Sequence, residues 1–240
     1  MSKKKHEFAI FYSGLTQTLK SDRLTCNDKA VITRVSHVLR LRVDDTLILF
    51  DEKHHASAVV STLSKKEVSF KIIKSSTNKK IEPSIRIALP VLKKDAFEQA
   101  IYNITELGGS EIQLIATEKA QRSWGGDKEM ERLKRVMIAA AEQSKNFDMP
   151  VIHKPISLQQ LVEQGGTMLF CDVGGEPIWQ VFNQKLQEPL TIIIGPEGDL
   201  TDEEKAMLEN GNVKLYRLTP TILRSVQAVS LALGYLRCLS

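Results

Sequence analysis

Apolar and polar positions follow different rhythms on the two sides of a polar run at residues 74–80. Before this run, short stretches rich in Val, Ile, Phe and Thr alternate with turn-like polar residues, a pattern typical of β-strands. It predicts strands at 8–12, 46–50, 57–63 and 67–73. Residues 28–39 alone have helical spacing, with Asn27 or Asp28 as the cap. The first part of the chain is therefore predicted to be a small β-barrel-like domain.

After residue 80, strand-like and helical patterns alternate. Strands are predicted at 85–92, 111–116, 151–152, 167–171, 190–194 and 213–218, and helices at 94–107, 128–145, 158–164, 202–210 and 225–239. Because these strands are apolar on both faces, the pattern favours an α/β fold with a parallel sheet covered by helices. Ligands of such sheets bind at the carboxyl ends of the strands. The apolar residues of the last helix fit either a dimer face or core.

Composition narrows the class of protein. The chain has 240 residues, 42% of them hydrophobic and 26% charged, which is ordinary for globular domains. No apolar run approaches the roughly 20 residues that span a bilayer. No signal-like segment follows Met1. We therefore expect a soluble cytoplasmic protein, and its three widely spaced cysteines indicate neither a disulfide framework nor a metal site.

Charge is distributed unevenly along the chain. Residues 1–80 contain 16 Lys and Arg against 8 Asp and Glu, whereas residues 81–240 contain 17 against 21. A basic first region favours a polyanionic partner such as nucleic acid. A Lys-rich solvated surface would give the same count, because net charge describes association and not fold.

Several familiar catalytic motifs are absent. The sequence has no G-x-G, no phosphate-loop G-K-[ST], no G-x-S-x-G and no H-E-x-x-H. Its five histidines lack metal-ligand spacing, and the adjacent His54 and His55 are expected in a solvated turn. An enzyme with this sequence would bind its ligand through backbone loops and without a metal.

Two loop segments are the most informative. Residues 192–204 carry a buried strand into Gly195-Pro196-Glu197-Gly198, followed by a capping-box sequence, and such a loop fits either main-chain binding of a planar ring or a plain turn. Residues 215–224 place Arg224 at the start of an apolar helix, where the helix dipole disfavours a cation. This position predicts a contact between Arg224 and a ligand or partner, with a plain surface arginine as the alternative.

These two segments resemble the carboxyl-terminal motifs of the ribosomal RNA small subunit methyltransferase E family, which belongs to the SPOUT methyltransferases. Segments 38–51, 96–112 and 139–144 are similar to that family's amino-terminal and central signatures. The resemblance covers nearly the whole chain. It implies a PUA-like β-barrel RNA-binding domain at 1–76, an α/β SPOUT trefoil-knot domain with a parallel sheet at 81–240, and an active site formed across a homodimer.

The resemblance also implies an activity, namely S-adenosylmethionine-dependent methylation of N3 of a uridine in 16S ribosomal RNA of the small ribosomal subunit. Arg224 would stand beside the transferred methyl group and stabilise negative charge on the uracil as its N3 proton leaves. Glu197 is a weaker candidate for a general base. The implied cofactor-binding residues are Phe170, Cys171, Asp172, Ile194, Gly195, Pro196, Glu197, Gly198, Leu218, Thr219, Pro220, Ile222 and Leu223.

Basic and aromatic side chains together suit loop RNA, which proteins bind through phosphate contacts and base stacking. Trp124 is a candidate stacking surface, or else only closes a loop. The RNA-binding candidates beside it are Arg34, Arg40, Arg42, Lys93, Arg122 and Ser123. With RNA as partner, we expect binding that depends strongly on salt and is dominated by the first domain.

The chain departs from the family pattern around the expected pocket. Asp199 and Leu200 stand where the family usually has Gly-Phe, and Thr219 replaces a usual glycine. Residues 225–227 are Ser-Val-Gln in place of Thr-Glu-Thr, and residues 145–146 are Lys-Asn in place of Gly-Arg. Two alternatives therefore stay open: a non-catalytic RNA-binding factor for ribosome assembly, and a SPOUT methyltransferase for another RNA position.

Overall fold

The two regions of the chain that differ in hydrophobic pattern form separate β-sheets. The computed structural model describes residues 7–183 and 189–238. Within them, one unit contains the chain up to Lys79 together with Ala141–Asp148, and the second contains Lys80–Ala140 and the chain from Met149 onwards. The change of hydrophobic pattern at residues 74–80 thus coincides with the passage between the units. The exception is the short segment 141–148, which groups with the first unit.

The first unit is built on a five-stranded mixed sheet. Its elements are β1 (Phe8–Phe11), α1 (Leu15–Thr18), β2 (Arg23–Cys26), α2 (Lys29–Thr33), β3 (Thr46–Phe50), β4 (His54–Leu63) and β5 (Val68–Thr77). The strand order is β1-β3-β4-β5-β2, in which β1 and β3 are parallel and the other neighbours antiparallel. Alternate strand residues, among them Leu47, Leu49, Val68 and Phe70, are buried in one core.

The predicted helix of the first unit is present but changes geometry. Asp28 caps it by accepting a hydrogen bond from the Ala30 amide at 2.7 Å, as expected from the sequence. After α2, the chain continues through Arg34–Val38 as a π-helical turn. Strand β2 was not predicted, because it has only four residues and half of its side chains face solvent.

Two predictions at the end of this region are wrong. His54 and His55 do not form a turn: they begin β4 and pair with Thr77 and Ser76 of β5. The polar run at 74–80 is likewise strand as far as Thr77. The sequence does not predict this end of the β4–β5 pair, because its side chains are polar and hydrogen bonds between the two backbones, not apolar burial, stabilise it.

The second unit has a six-stranded sheet in the order β11-β9-β10-β6-β7-β8, and every neighbouring pair is parallel. The predicted parallel α/β sheet is therefore confirmed. Its strands are β6 (Ile85–Pro90), β7 (Glu111–Ala116), β8 (Val151–Ser157), β9 (Thr167–Pro177), β10 (Leu190–Ile193) and β11 (Lys214–Arg217). β8 is longer than predicted and contains Pro155, which an edge strand tolerates because one side of its backbone has no partner strand.

Helices accompany this sheet, and their apolar stripes are buried. They are α3 (Lys94–Glu106), α4 (Asp127–Ser144), α5 (Leu158–Glu163), α6 (Asp202–Asn210) and α7 (Ser225–Cys238), with a 3₁₀ turn at Ile178–Asn183. Phe97, Ala100, Ile101 and Ile104 of α3 are fully buried, as their spacing predicts. On α7, Leu233 and its neighbours pack in the same core. Within the described residues, every helix is too short or too polar to span a bilayer.

Candidate active site

A cavity of about 470 Å³ lies where three neighbouring strands, β11, β9 and β10, approach their carboxyl ends. This is the place at which parallel α/β sheets bind ligands, and it belongs entirely to the second unit. Its lining residues are Cys171, Asp172, Val173, Ile194, Gly195, Pro196, Glu197, Gly198, Asp199, Leu218, Thr219, Thr221, Ile222, Leu223, Arg224, Ser225 and Ala228.

An excursion in β9 forms one wall of the cavity. Leu215 of β11 pairs with Phe170 of β9, but the next residue, Tyr216, pairs with Glu176. Residues 171–175 therefore leave the regular register with β11. Gly175 ends the excursion, where a Cβ would lie 2.5 Å from the Leu215 backbone carbon. Only glycine permits two backbones to approach this closely.

The loop after β10 forms the second wall. The Asp199 amide donates to the Pro196 carbonyl at 3.0 Å, which closes a tight turn. Asp199 has a φ of +62°, in the left-handed region that favours glycine, and its Oδ1 accepts from the Leu200 amide at 2.8 Å. Aspartate is one of the few residues with a side chain that adopt this conformation, because it bonds locally to the backbone. Aspartate at this position therefore adopts the positive φ that a glycine would also allow.

The third wall is the segment that enters α7. The Ser225 hydroxyl donates to the Gly195 carbonyl at 2.8 Å, so the start of α7 is tied to the loop after β10. Thr219 donates to the Thr221 carbonyl at 2.7 Å and shapes the preceding turn. Arg224 caps the helix through its carbonyl, which accepts from the Ala228 amide. Its exposed guanidinium has no hydrogen-bond or ion-pair partner among residues 7–183 and 189–238.

A lysine joins two carboxylates on the cavity wall. Lys205 Nζ donates to Asp172 Oδ2 and to Asp199 Oδ2, each at 2.8 Å. Asp172 Oδ1 also accepts from the Gly174 amide at 2.7 Å. Burial opposes ionisation of Asp172, but the bonds from Lys205 and Gly174 outweigh it, and its pKa lies below the ordinary value. Burial likewise acts against the Lys205 charge, yet the two aspartates raise its pKa.

Cys171 is the thiol of the cavity wall. Burial raises its pKa to about 12. The thiol is therefore protonated at neutral pH, and a protonated thiol is a poor nucleophile. Cys171 thus contributes an apolar surface to the cavity and no nucleophile.

The segment after β7 supports the loop of the second wall. Glu204 of α6 accepts from the Glu118 amide and, in a capping box, from the Thr201 amide, both at 2.9 Å. A Cβ on Gly198 would lie 3.4 Å from the Lys119 Cβ, so these two segments are in contact. Glu118, two residues after the end of β7, and the first turn of α6 are therefore held together beside the cavity.

The structure brings most of the predicted cofactor-binding residues to one cavity, together with Arg224. Two of them do not line it: Phe170 is buried in the core below, with its ring about 3.8 Å from where a Gly195 Cβ would lie, and Pro220 is exposed in the adjacent turn. Sequence reasoning missed some lining residues. Asp199 and Ser225 lie inside the two motifs, but the sequence identifies them only as departures from the family pattern. The other lining residues that the sequence does not predict are Val173, Thr221 and Ala228.

The RNA-binding candidates of the first unit differ in whether their side chains are exposed or already form an ion pair. The Arg40 and Arg42 side chains are exposed. Arg34 forms an ion pair with the buried Glu142, which also accepts from the Phe11 amide. The Arg34 guanidinium therefore already has a partner, whereas those of Arg40 and Arg42 face solvent.

In the second unit, Lys93 and Ser123 are exposed, but Arg122 is engaged internally. Its Nε donates to the Leu92 carbonyl at 2.6 Å, and its Nη1 donates to Glu129 at 3.0 Å. The guanidinium also lies 5.3 Å from the centre of the Phe97 ring. Trp124 packs edge-on against the same ring. These contacts indicate that Arg122 and Trp124 close the loop between β7 and α4.

Comparisons with known proteins agree with this architecture. A family model described as RNA methyltransferase domain matches residues 79–237, and one described as RNA methyltransferase PUA domain matches residues 37–73. Ribosomal RNA small subunit methyltransferase E of Rickettsia conorii is 28% identical over 232 residues, which are 91% of this chain and 93% of that protein. The protein of the same name from Bacillus subtilis is 26% identical and covers 85% of each chain.

Solved structures share the fold. A ribosomal RNA small subunit methyltransferase E from Neisseria gonorrhoeae, bound to S-adenosyl methionine, superposes with a TM-score of 0.82, 21% identity and coverage of 98% of both chains. A Legionella pneumophila protein whose structure contains the same bound cofactor gives a TM-score of 0.82 at 23% identity and also covers 98% of both chains. The first unit is accordingly a PUA-like domain, and the second has the fold of these enzymes.

Proposed function

This chain belongs to the RNA methyltransferase family, and we propose that it uses S-adenosylmethionine to methylate N3 of a uridine in 16S ribosomal RNA. The observation that carries the proposal is the cavity of the second unit, in which both family-like loops and Arg224 meet. The similarity to ribosomal RNA small subunit methyltransferase E along nearly the whole chain supports the small ribosomal subunit as the source of the RNA.

The cavity fits the methyl donor in size and chemistry. Its volume lies within the range of roughly 300–1,000 Å³ that is typical of small-molecule sites. Ile194, Leu218 and Leu223 offer apolar surface for a purine ring. Gly195 lines the cavity without a side chain, so a ligand can approach its backbone directly. Asp172 and Asp199 offer carboxylates to the hydroxyl and ammonium groups of the donor.

Methyl transfer to uracil N3 requires the departure of a proton and a nucleophile aligned with the donor. The donor, when bound, supplies a methyl group on a positively charged sulfur. The N3 proton passes to solvent water, and the bond from sulfur to the methyl group breaks as the bond to N3 forms, which would leave the donor as a neutral thioether. While the base is deprotonated, negative charge spreads to O2 and O4, and the Arg224 guanidinium stabilises it by charge-assisted hydrogen bonds. Because Arg224 has no partner among the described residues, its donors are available to the base. The walls hold donor and base in one orientation, which lowers the entropic cost of reaction.

Substitution of Arg224 tests this role. We expect Arg224→Ala to lower the single-turnover rate at saturating RNA by about 100-fold, the loss typical for one charge-stabilising group. Arg224→Lys, which keeps the charge but not the planar fork, should recover part of the rate. Calorimetric affinity for S-adenosylmethionine should change little. Arg135→Ala, at an exposed arginine of α4, is the matched control. Full activity of both Arg224 variants would remove it from the chemistry.

Two experiments address the other functions. The structure does not favour a non-catalytic assembly factor, because its pocket is formed and open; absence of S-adenosylmethionine binding by calorimetry would overturn the enzymatic proposal. The target nucleotide is tested by mapping methylated uridines in 16S ribosomal RNA from cells with and without the gene. Methylation of another RNA alone would replace 16S ribosomal RNA as the substrate.

The proposal includes a cytoplasmic enzyme that acts as a homodimer, with its carboxyl-terminal loops threaded as a trefoil knot. Exposed apolar side chains in the second unit support a dimer face: Ile222 is 86% exposed at the cavity, and Leu231 is 42% exposed on α7. Sedimentation equilibrium tests this arrangement. A Leu231→Glu variant should be monomeric and less active, whereas a monomeric and fully active unmodified chain would contradict it.

We also propose domain limits of 1–76 for the RNA-binding domain and 81–240 for the catalytic domain. The candidate RNA contacts of the first domain are Arg40 and Arg42, with a smaller contribution from Arg34. Lys93 and Ser123 are the exposed candidates of the second, and Arg122 is better explained as support for the loop. Crosslinking of the methylated RNA to the full chain would assign these contacts.

A further inference from the structure

Lys205 lies outside the cavity lining, but it contacts two carboxylates that belong to it. It is on α6, while Asp172 is on β9 and Asp199 is in the loop after β10. Its ammonium is 2.8 Å from an oxygen of each. The Lys205 side chain therefore links two walls of the cavity, the excursion of β9 and the loop after β10.

The two carboxylates are oriented before any ligand arrives. In each, one oxygen accepts from Lys205 and the other from a backbone amide, that of Gly174 for Asp172 and that of Leu200 for Asp199. Asp172 is 11% exposed and Asp199 is 58% exposed. A carboxylate oxygen accepts more than one hydrogen bond, so both retain capacity for a ligand donor group. Asp199 offers the more accessible oxygens.

We propose that Lys205 is a positioning residue for the methyl donor. It holds Asp172 and Asp199 so that their oxygens accept hydrogen bonds from hydroxyl or ammonium groups of the ligand, without itself contacting the ligand. This inference rests on the proposed function of the cavity. A preorganised acceptor loses less conformational freedom on binding, and this gain appears as affinity. Lys205 also limits repulsion between two carboxylates that face one small space.

The test compares donor binding in the full chain and its variants. We expect Lys205→Met to raise the Kd and the KM for S-adenosylmethionine about tenfold, as befits hydrogen bonds to charged groups. The kcat at saturating donor and the KM for RNA should stay within about twofold. Lys205→Arg, which keeps charge and reach, should restore most of the affinity. Lys214→Met, at an exposed lysine of the same unit, is the matched control and should bind like the unmodified chain.

Variants of Asp199 keep the proposal testable if Lys205→Met folds poorly. Asp199→Asn retains the acceptor for the Leu200 amide and tolerates positive φ, but loses the charge that pairs with Lys205. Asp199→Gly keeps the turn and removes the side chain. Both should weaken donor binding, and combining Asp199→Asn with Lys205→Met should weaken it by less than the product of the separate effects.

A second ligand identifies the group that is contacted. 5′-Methylthioadenosine has the ribose but not the amino acid of the donor. Equal weakening of both ligands by Asp199→Asn assigns the contact to ribose hydroxyls, and weakening confined to S-adenosylmethionine assigns it to the ammonium; either supports the proposal.

The outcomes that overturn it are distinct. Unchanged donor affinity in the Lys205 and Asp199 variants overturns the positioning role while the proposed function stands. If Lys205→Met weakens donor binding, raises the KM for RNA and lowers Tm together, the role of Lys205 is purely structural. Absence of donor binding by the unmodified chain overturns the proposed function and this inference with it.

Discussion

Asp51 organises the turn between β3 and β4 in the first unit. Its Oδ2 accepts from the Thr16 amide at 2.7 Å and from the Thr16 hydroxyl at 2.6 Å. Its Oδ1 accepts from the Lys53 and His54 amides, each at 2.8 Å. Burial opposes ionisation, but these bonds outweigh it and keep the pKa of Asp51 below its ordinary value. The ionised carboxylate is therefore the form that the fold stabilises.

Asp51→Asn should destabilise the first unit by about 2 kcal/mol at neutral pH, because an amide group would face donors where an acceptor is required. The pKa of Asp51 is depressed in the folded state. The contribution of Asp51 to the free energy of unfolding is present above the pKa that it has in the unfolded chain. This contribution is lost as the pH falls through its pKa in the folded protein. The difference between variant and parent should therefore shrink in acid below about pH 4.

Urea titrations at several pH values measure this difference. Asp44→Asn is the control, because Asp44 is exposed and asparagine tolerates its φ of +71°. A variant of Asp51 as stable as the parent at pH 7 would contradict the assigned role.

Individual residues were predictable from sequence where they belonged to a local pattern. Gly195 and Gly198 indicated the cavity loop because glycines beside a proline mark a tight turn. Lys205 was not predictable, since a lysine on a helix is ordinary and its two partners lie 33 and 6 residues away in the chain. Contacts of this kind depend on how strands are ordered, which local spacing does not encode.

At the scale of elements, α5 and α6 each begin with a complete capping box. Ser157 with Gln160 starts α5, and Thr201 with Glu204 starts α6. Among residues 7–183 and 189–238, the second box differs from the first in having an additional partner, because Glu204 is buried and also accepts from the Glu118 amide. The first turn of α6 thus fixes the segment after β7 as well as its own end.

Glu204→Ala should destabilise the second unit by about 2 kcal/mol, since it leaves two amides without an acceptor. Ser157→Ala, which affects a helix cap alone, should cost about 1 kcal/mol. Glu203→Ala, at an exposed neighbour, should lie within about 0.5 kcal/mol of the parent. Chemical denaturation followed by circular dichroism gives the three values. Equal costs for the first two would show that the bond to Glu118 contributes nothing.

Element type was predicted well where burial and spacing agree, as in α3. Element ends were predicted less well. β5 extends through polar residues to Thr77 because pairing with β4 satisfies its backbone, and β9 extends to Pro177 beyond an irregular stretch. In both strands, hydrogen bonds between backbones determine where the strand ends, and the polarity of the side chains gives little information about these bonds.

At the scale of the whole molecule, the positive charge is concentrated in the first 80 residues. A protein that neutralises phosphates releases counterions, so its affinity falls linearly on a logarithmic salt scale. The exposed Arg40 and Arg42 are candidates for such contacts, whereas Arg34 is already paired with Glu142.

Arg40→Ala and Arg42→Ala should each reduce the slope of log affinity against log salt by about 1. Arg34→Ala should reduce it by less, and Lys214→Ala, in the second unit, should leave it unchanged. Fluorescence anisotropy with a 16S ribosomal RNA fragment between about 50 and 200 mM salt measures the slopes. Equal slopes in all four variants would exclude these arginines from the RNA interface.

The parallel α/β class was predictable from sequence, because its strands are apolar on both faces and alternate with helices. The strand order β11-β9-β10-β6-β7-β8 was not. It depends on pairings such as Leu190 with both Ile85 and Thr167, which join distant parts of the chain. The position of the cavity followed from the class together with the two motifs, but its full lining required that order.

The excursion of β9 is a stretch of the strand that is not in regular register with β11. Pairing with β11 stops at Phe170 and resumes at Glu176, so the five residues between are outside the alternation that decides which face of a sheet each side chain occupies. An insertion after Gly174, which spares the Asp172 contacts and the close approach of Gly175 to Leu215, should leave both flanking registers intact. An engineer could therefore reshape this wall for bulkier synthetic analogues of the methyl donor while the scaffold keeps its alignment.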